Sequence, residues 1–120
     1  MESTFLDHTW GSKIVDELSP KDGDLVVEKS TYDRFVGATL YETLTEIGTR
    51  HLFFVGVATN ICVETTLRHA CCLGFHPVII SDAVAGVGPK SKVEATFYNV
   101  RLSFGYVTRT KEILRALRGD

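Results

Sequence analysis

No apolar run in this chain approaches the length needed to cross a bilayer, and no basic-then-apolar leader follows Met1. Those two absences give the expectation of a cytoplasmic protein with no membrane partner. An excess of one charge is lacking too. Thirteen Lys and Arg stand against fifteen Asp and Glu, a net charge of -2, which supplies no electrostatic footprint for nucleic acid. The mild basic cluster of Arg109, Lys111, Arg115 and Arg118 reads as positive charge along a terminal helix. Cysteine is sparse and odd in number, three in all, which without a leader argues for reduced thiols. Adjacent Cys71 and Cys72 cannot easily bridge each other, and neither a second Cys pair nor a His-x-x-x-His spacing offers a zinc site. Repeats and low-complexity linkers are absent as well, so residues 1–120 are expected to form a single domain.

What is present is a rhythm. "GDLVVEK" (23–29) opens on turn residues and reads as a short strand ending at Lys29. "HLFFVGV" (51–57) and "HPVIISDA" (76–83) are apolar runs without alternation, the pattern of strands covered on both faces. "GYVTRT" (105–110) is a weaker fourth strand. Helical stripes fall between them. Leu40, Leu44 and Ile47 form one, closed by Gly48. Val63, Thr66, Leu67, Ala70 and Leu73 form another, closed by Gly74. Pro89 opens a third helix reaching about Phe104, stopped by Gly105, and Ile113, Leu114 and Leu117 mark a last short one. Ile14, Val15 and Leu18 also stand at helical spacing before Pro20, and Trp10 reads as a packing anchor. Alternating strand and helix specify a parallel sheet flanked by helices and joined by right-handed crossovers.

In such a sheet ligands bind beyond the carboxyl ends of the strands, where Lys29, the "GVATN" stretch and Asp82 fall. Cys62 follows a strand by a short loop and begins a helix, where the helix dipole favours a thiolate and a nearby ammonium would add to it. Cys71 and Cys72 lie deep in the same helix and read as small buried packing residues. Position leaves Cys62 balanced between that bland role and a reactive one. Lys29 can equally be a solvated lysine. Asp82 can hydrogen-bond backbone amides in its turn or, on topology alone, serve as a base. His8, His51, His69 and His76 have no mutual spacing suited to a triad and read as structural or solvated.

At these residues the chain resembles a known family. "GVATNICVETTLRHA" (56–70) resembles the nucleophile segment of the isochorismatase-like cysteine hydrolases, and "DLVVEKSTYDRFVGATL" (24–40) resembles their lysine segment. "WGSKIVDELSPKDGD" (10–24) and "VIISDAVAG" (78–86) are similar to the family's connecting stretches. Among its branches the wording is nearest the amidohydrolases of ureido, carbamoyl and biuret-type substrates. The resemblance implies a three-layer α/β/α, Rossmann-like fold. It also implies Cys62 as nucleophile, Lys29 as the charge that holds its thiolate, and a cis peptide between Val57 and Ala58. The backbone amides of Ala58 and Cys62 would form the oxyanion hole, with Tyr32, Phe35 and Asn60 lining the substrate pocket. The implied reaction hydrolyses the C–N bond of a small amide or ureide through an acyl-enzyme, with no metal or organic cofactor. Ether hydrolysis of isochorismate itself is disfavoured, because a nucleophilic cysteine suits acyl transfer better. A homo-oligomer is expected.

One part of the family pattern is missing. Its third catalytic residue is an aspartate at the end of the first strand, in a "D-x-Q"-like setting, and no such strand is readable here. Asp7, in "TFLDHTW", lacks the preceding apolar run and does not take the role; the resemblance gives Asp82 a structural one. The first two strands of the family sheet (order 3-2-1-4-5-6) would lie between "LVVEK" and "LFFVGV", so their loss should leave unpaired edges. The reading is a cysteine amidohydrolase impaired by that loss. The alternative is a non-catalytic remnant that acts as an assembly or regulatory module.

Overall fold

The run His51–Val57 carries no charge and no proline, and it forms β1. Among the described residues only one of its faces is covered, not both as its apolar run without alternation predicts. Leu52 and Phe54 point into the core, while Phe53, Val55 and Val57 alternate with them and are half or more exposed. The computed structural model describes residues 13–28 and 30–119. Over these, the chain runs as α1 (Leu40–Glu46), β1, a π-helical turn (Thr59–Val63), α2 (Glu64–Cys72) and β2 (His76–Ala85). Then come α3 (Lys90–Asn99), a second π-helical turn (Val100–Phe104), β3 (Tyr106–Thr108) and α4 (Thr110–Arg118).

The three strands form a parallel sheet in the order β1-β2-β3. His51 pairs with His76 and Phe54 with Ile79, and the register slips before Gly56 meets Val84. Parallel strands need crossovers, and α2 and α3 provide them. Their apolar stripes meet the sheet in a core of Val63, Leu67, Ile79 and Val100, with Phe54, Phe97, Phe104 and Val107 packed around it. A second core joins Phe35, Ala70 and Phe75, backed by Leu40 and Leu44 of α1. Gly105 is required by close approach: a Cβ there would lie 2.1 Å from the Pro77 carbonyl oxygen, where β3 comes alongside β2.

Three expectations need correction. "LVVEK" forms no strand among the described residues: 24–28 are irregular, and Leu25 and Val26 are 57% and 55% exposed. A strand exists through its ladder, and among the described residues no neighbouring strand pairs with these. The stretch around Ile14 to Leu18 gives only a single 3-10 turn, Asp16–Leu18, with all three apolar side chains exposed. Too short to nucleate and with its apolar side chains left exposed, it gains little from its periodicity. Cys72 is exposed and Cys71 half-buried, so Cys72 is not core packing; it ends α2 on the solvent side. Asp7, His8, Trp10 and Lys29 lie outside the described residues.

Asp82 has a structural role. One of its carboxylate oxygens accepts hydrogen bonds from the Thr110 amide (2.8 Å) and hydroxyl (2.9 Å), tying the start of α4 to β2. The Thr110 amide, then its hydroxyl, hold the Asp82 carboxyl below its usual 3.8, with a smaller contribution from Arg109. Because the folded-state value is depressed, the tie is fully present above pH 3.8 and is lost as pH falls through the lower, folded value. The Thr110 amide resonance should therefore stay constant from neutrality to about pH 4 and move only below it. In Asp82→Asn that acid step should vanish; a Thr110 titration centred above 4 in the parent chain would show the assignment to be wrong.

Candidate active site

The turn after β1 is where the chemistry-bearing residues gather. The Val57–Ala58 peptide is cis. The Ala58 carbonyl accepts hydrogen bonds from the amides of Ile61 and Val63, each at 3.1 Å, which closes the widened turn Thr59–Val63. Such single π-turns within helices occur often at functional sites. Cys62 lies on this turn, half-buried, directly before α2. Beside it the Thr59 hydroxyl is fully buried with no hydrogen-bond partner among the described residues.

Asn60 clasps the loop that follows β2. Its side-chain amide donates to the Val87 carbonyl (2.9 Å), and its side-chain oxygen accepts from the Val87 amide (3.0 Å). The loop comes so close that a Cβ on Gly86 would stand 3.0 Å from the Asn60 oxygen and 2.2 Å from the Val93 side chain. Both ends of the Asn60 amide are thus engaged in holding the loop against the thiol turn.

Tyr32 and Phe35 arrive from a distant stretch and dock on α2. The buried hydroxyl of Thr66, four residues after Cys62, donates to the Tyr32 carbonyl (3.3 Å) and accepts from the Arg34 amide (3.2 Å). Asp33 adds a second tether: one carboxylate oxygen lies 2.6 Å from His69 Nδ1, and the other accepts from the Phe35 amide at 2.9 Å. Phe35 itself is buried, stacked on Phe75 at 6.1 Å and edge-on to His69 at 5.2 Å. Its ring is therefore a core element, whereas Tyr32 is 45% exposed. The Asp33–His69 pair was missed in the sequence because its members are 36 residues apart, with no local pattern linking them.

Site residues brought together are Ala58, Asn60 and Cys62 on one turn, with Tyr32 and Phe35 fastened to the helix that follows. Two surface cavities are lined by residues between 14 and 43. The larger, about 480 Å³, is lined by Ile14, Leu18, Leu25, Val26, Arg34 and Leu40 among others. Among the described residues, no three His, Cys, Asp or Glu side chains are gathered in a way that could hold a metal ion.

A family model described as the isochorismatase domain matches residues 1–112. The chain belongs to the isochorismatase family. It is 40% identical to the ureidoacrylate amidohydrolase of Variovorax paradoxus over 107 residues, which make up 89% of this chain and 42% of that protein. To the Klebsiella pneumoniae ureidoacrylate amidohydrolase it is 38% identical, across 90% of this chain and 46% of the relative. The chain thus spans less than half the length of these curated relatives. Among solved structures, an isochorismatase-like hydrolase from Alkaliphilus metalliredigens superposes with a TM-score of 0.85 at 26% identity, covering 92% of this chain and 60% of the other. N-carbamoylsarcosine amidase from Thermoplasma acidophilum superposes with a TM-score of 0.74 at 30% identity, over 82% and 56% of the two chains. The three-stranded parallel sheet with its helices is therefore a part of the family's α/β fold. No helix among the described residues is long and apolar enough to cross a membrane.

Proposed function

We propose that the chain carries the nucleophile half of an amidohydrolase acting on small ureido, carbamoyl or related amides. The observation that carries this reading is the placement of Cys62 on the turn between β1 and α2, in a family whose relatives include a ureidoacrylate amidohydrolase and a carbamoylsarcosine amidase. The Cys62 thiolate attacks the substrate carbonyl carbon, and the carbonyl electron pair moves onto oxygen. The backbone amides of Ala58 and Cys62 receive that charge. Collapse of the intermediate breaks the C–N bond, and the nitrogen leaves as ammonia or an amine with an added proton. Water then cleaves the thioester, returning the thiol and releasing an acid. Lys29 holds the attacking sulfur as its anion. Tyr32 contacts the substrate from the docked segment, Asn60 fixes the loop beside it, and Phe35 packs behind. A carboxylate that moves the protons is required and has no counterpart assigned among the described residues.

Thiol chemistry tests the nucleophile separately from turnover. With limiting iodoacetamide near neutral pH, Cys62 should be alkylated before both Cys71 and Cys72, as read by peptide mass mapping. Cys72 makes this a demanding comparison, because it is exposed and Cys62 is half-buried. Lys29→Ala should slow labelling at Cys62 and leave Cys72 unchanged. If Cys72 outpaces Cys62 in the folded chain, the nucleophile assignment is wrong.

A second reading has its own observation. The free edge of β1 and its exposed Phe53, Val55 and Val57 suit a module that acts by assembling with another polypeptide. Selective Cys62 alkylation without ammonia release under any pairing would favour that reading.

A further inference from the structure

The opposite end of the sheet from Cys62 holds a group that the proposed hydrolysis does not use. His51 opens β1 and His76 opens β2, and the parallel register sets them directly side by side. Both are exposed, and their ring centres are 5.1 Å apart with a 35° tilt between planes. The backbone beneath them is fixed, since the His76 amide donates to the Arg50 carbonyl at 2.8 Å. Two imidazoles sharing one tetrahedral Zn²⁺, with Zn–N about 2.0–2.1 Å, place their ring centres roughly 5 Å apart.

We propose that His51 and His76 form a two-imidazole site for a divalent transition metal such as Zn²⁺, completed by water. The strand register sets the two Cα positions side by side, so the second ligand binds with less ordering cost than a residue from an unpaired segment would. Imidazole suits Zn²⁺, Cu²⁺ and Ni²⁺, whereas Mg²⁺ and Ca²⁺ prefer oxygen ligands and should not compete. A metal bound here ties the start of β1, an edge strand, to the strand beside it. The metal is a clamp on the sheet and takes no part in bond cleavage. His69 is a poorer candidate, because its Nδ1 is already engaged by Asp33. Sequence reading overlooks the pair, since 51 and 76 become neighbours only through the ladder.

Zn²⁺ is titrated into the full chain at neutral pH, followed by calorimetry and by the imidazole proton resonances. The expected result is that His51 and His76 resonances shift together over one equivalent of Zn²⁺. The thiols contribute equally to every variant. Against that background, His51→Gln and His76→Gln should each weaken the same equivalent by on the order of a hundredfold, the gain expected from making the second contact intramolecular. Mg²⁺ should produce neither effect. Loss in only one variant, loss in neither, or resonances moving at different equivalents would each overturn the shared site. The resonance measurement on the unaltered chain needs no variant to fold.

Discussion

Joined to a segment that carries a family-like aspartate strand, this chain should release ammonia from ureido and carbamoyl amides roughly a hundred to ten thousand times faster than it does alone. The factor is what a positioned general acid–base normally contributes, and no such carboxylate is assigned beside Cys62. Asp82, the nearest sequence-based nominee, spends one oxygen on both the amide and hydroxyl of Thr110. The measurement is ammonia release across a panel of such amides, with and without the added segment. Full-rate hydrolysis by the chain alone, lost in Cys62→Ala, would show that a substitute base exists.

Leu67→Ala carries the largest expected effect on stability. Leu67 is fully buried at the centre of the core that joins α2 to Ile79 and Val100. Truncation there should cost about 2–5 kcal/mol, the transfer term plus the cavity left behind. Since small domains have only about 5–15 kcal/mol in total, this loss is a large share of the stability and should lower the denaturant midpoint clearly. Gly105→Ala should approach this from the other direction. Its new methyl must displace the Pro77 backbone, which has no side-chain freedom to yield, and separate β3 from β2. Leu117→Ala, at a position 73% exposed, is the control and should stay within about 0.5 kcal/mol. Denaturant midpoints rank the three, and a Leu67→Ala midpoint equal to that of Leu117→Ala would remove the core assignment.

The elements legible in the sequence are those whose partners lie within the chain. β1 occupies 51–57 as its apolar run predicts, and β2 begins at His76 and extends two residues past the expected 83. The helix expected from the stripe Val63 to Leu73 is present as Glu64–Cys72, preceded by a π-turn, Thr59–Val63, that no residue pattern announces. The helix expected from Pro89 to Phe104 likewise divides into α3 and a second π-turn before Gly105. "LVVEK" has strand composition and no strand, because composition supplies propensity and only a neighbour supplies hydrogen bonds. Cys72 misled for another reason: apolar character marked it for the core, but the stripe of α2 turns Leu67 and Ala70 inward and leaves Cys72 outside. At the candidate site, Cys62 and Asn60 share one turn because one contiguous motif carries both. The fastening of Tyr32 through Thr66, and of Asp33 to His69, depends on tertiary approach and left no trace in either segment.

The uncovered side of β1 also bears on how the protein behaves in a tube. Seven residues without a single lysine, aspartate, glutamate or proline have no strand partner on that side among the described residues, with three large apolar side chains beside it. Natural edge strands are usually blunted by such residues, and this one is not. Two molecules meeting along it can extend one sheet into the next, so turbidity and apparent mass should rise steeply with protein concentration. A single lysine at Val55 would interrupt that edge without touching the core, and should keep the chain in solution at concentrations where the parent precipitates.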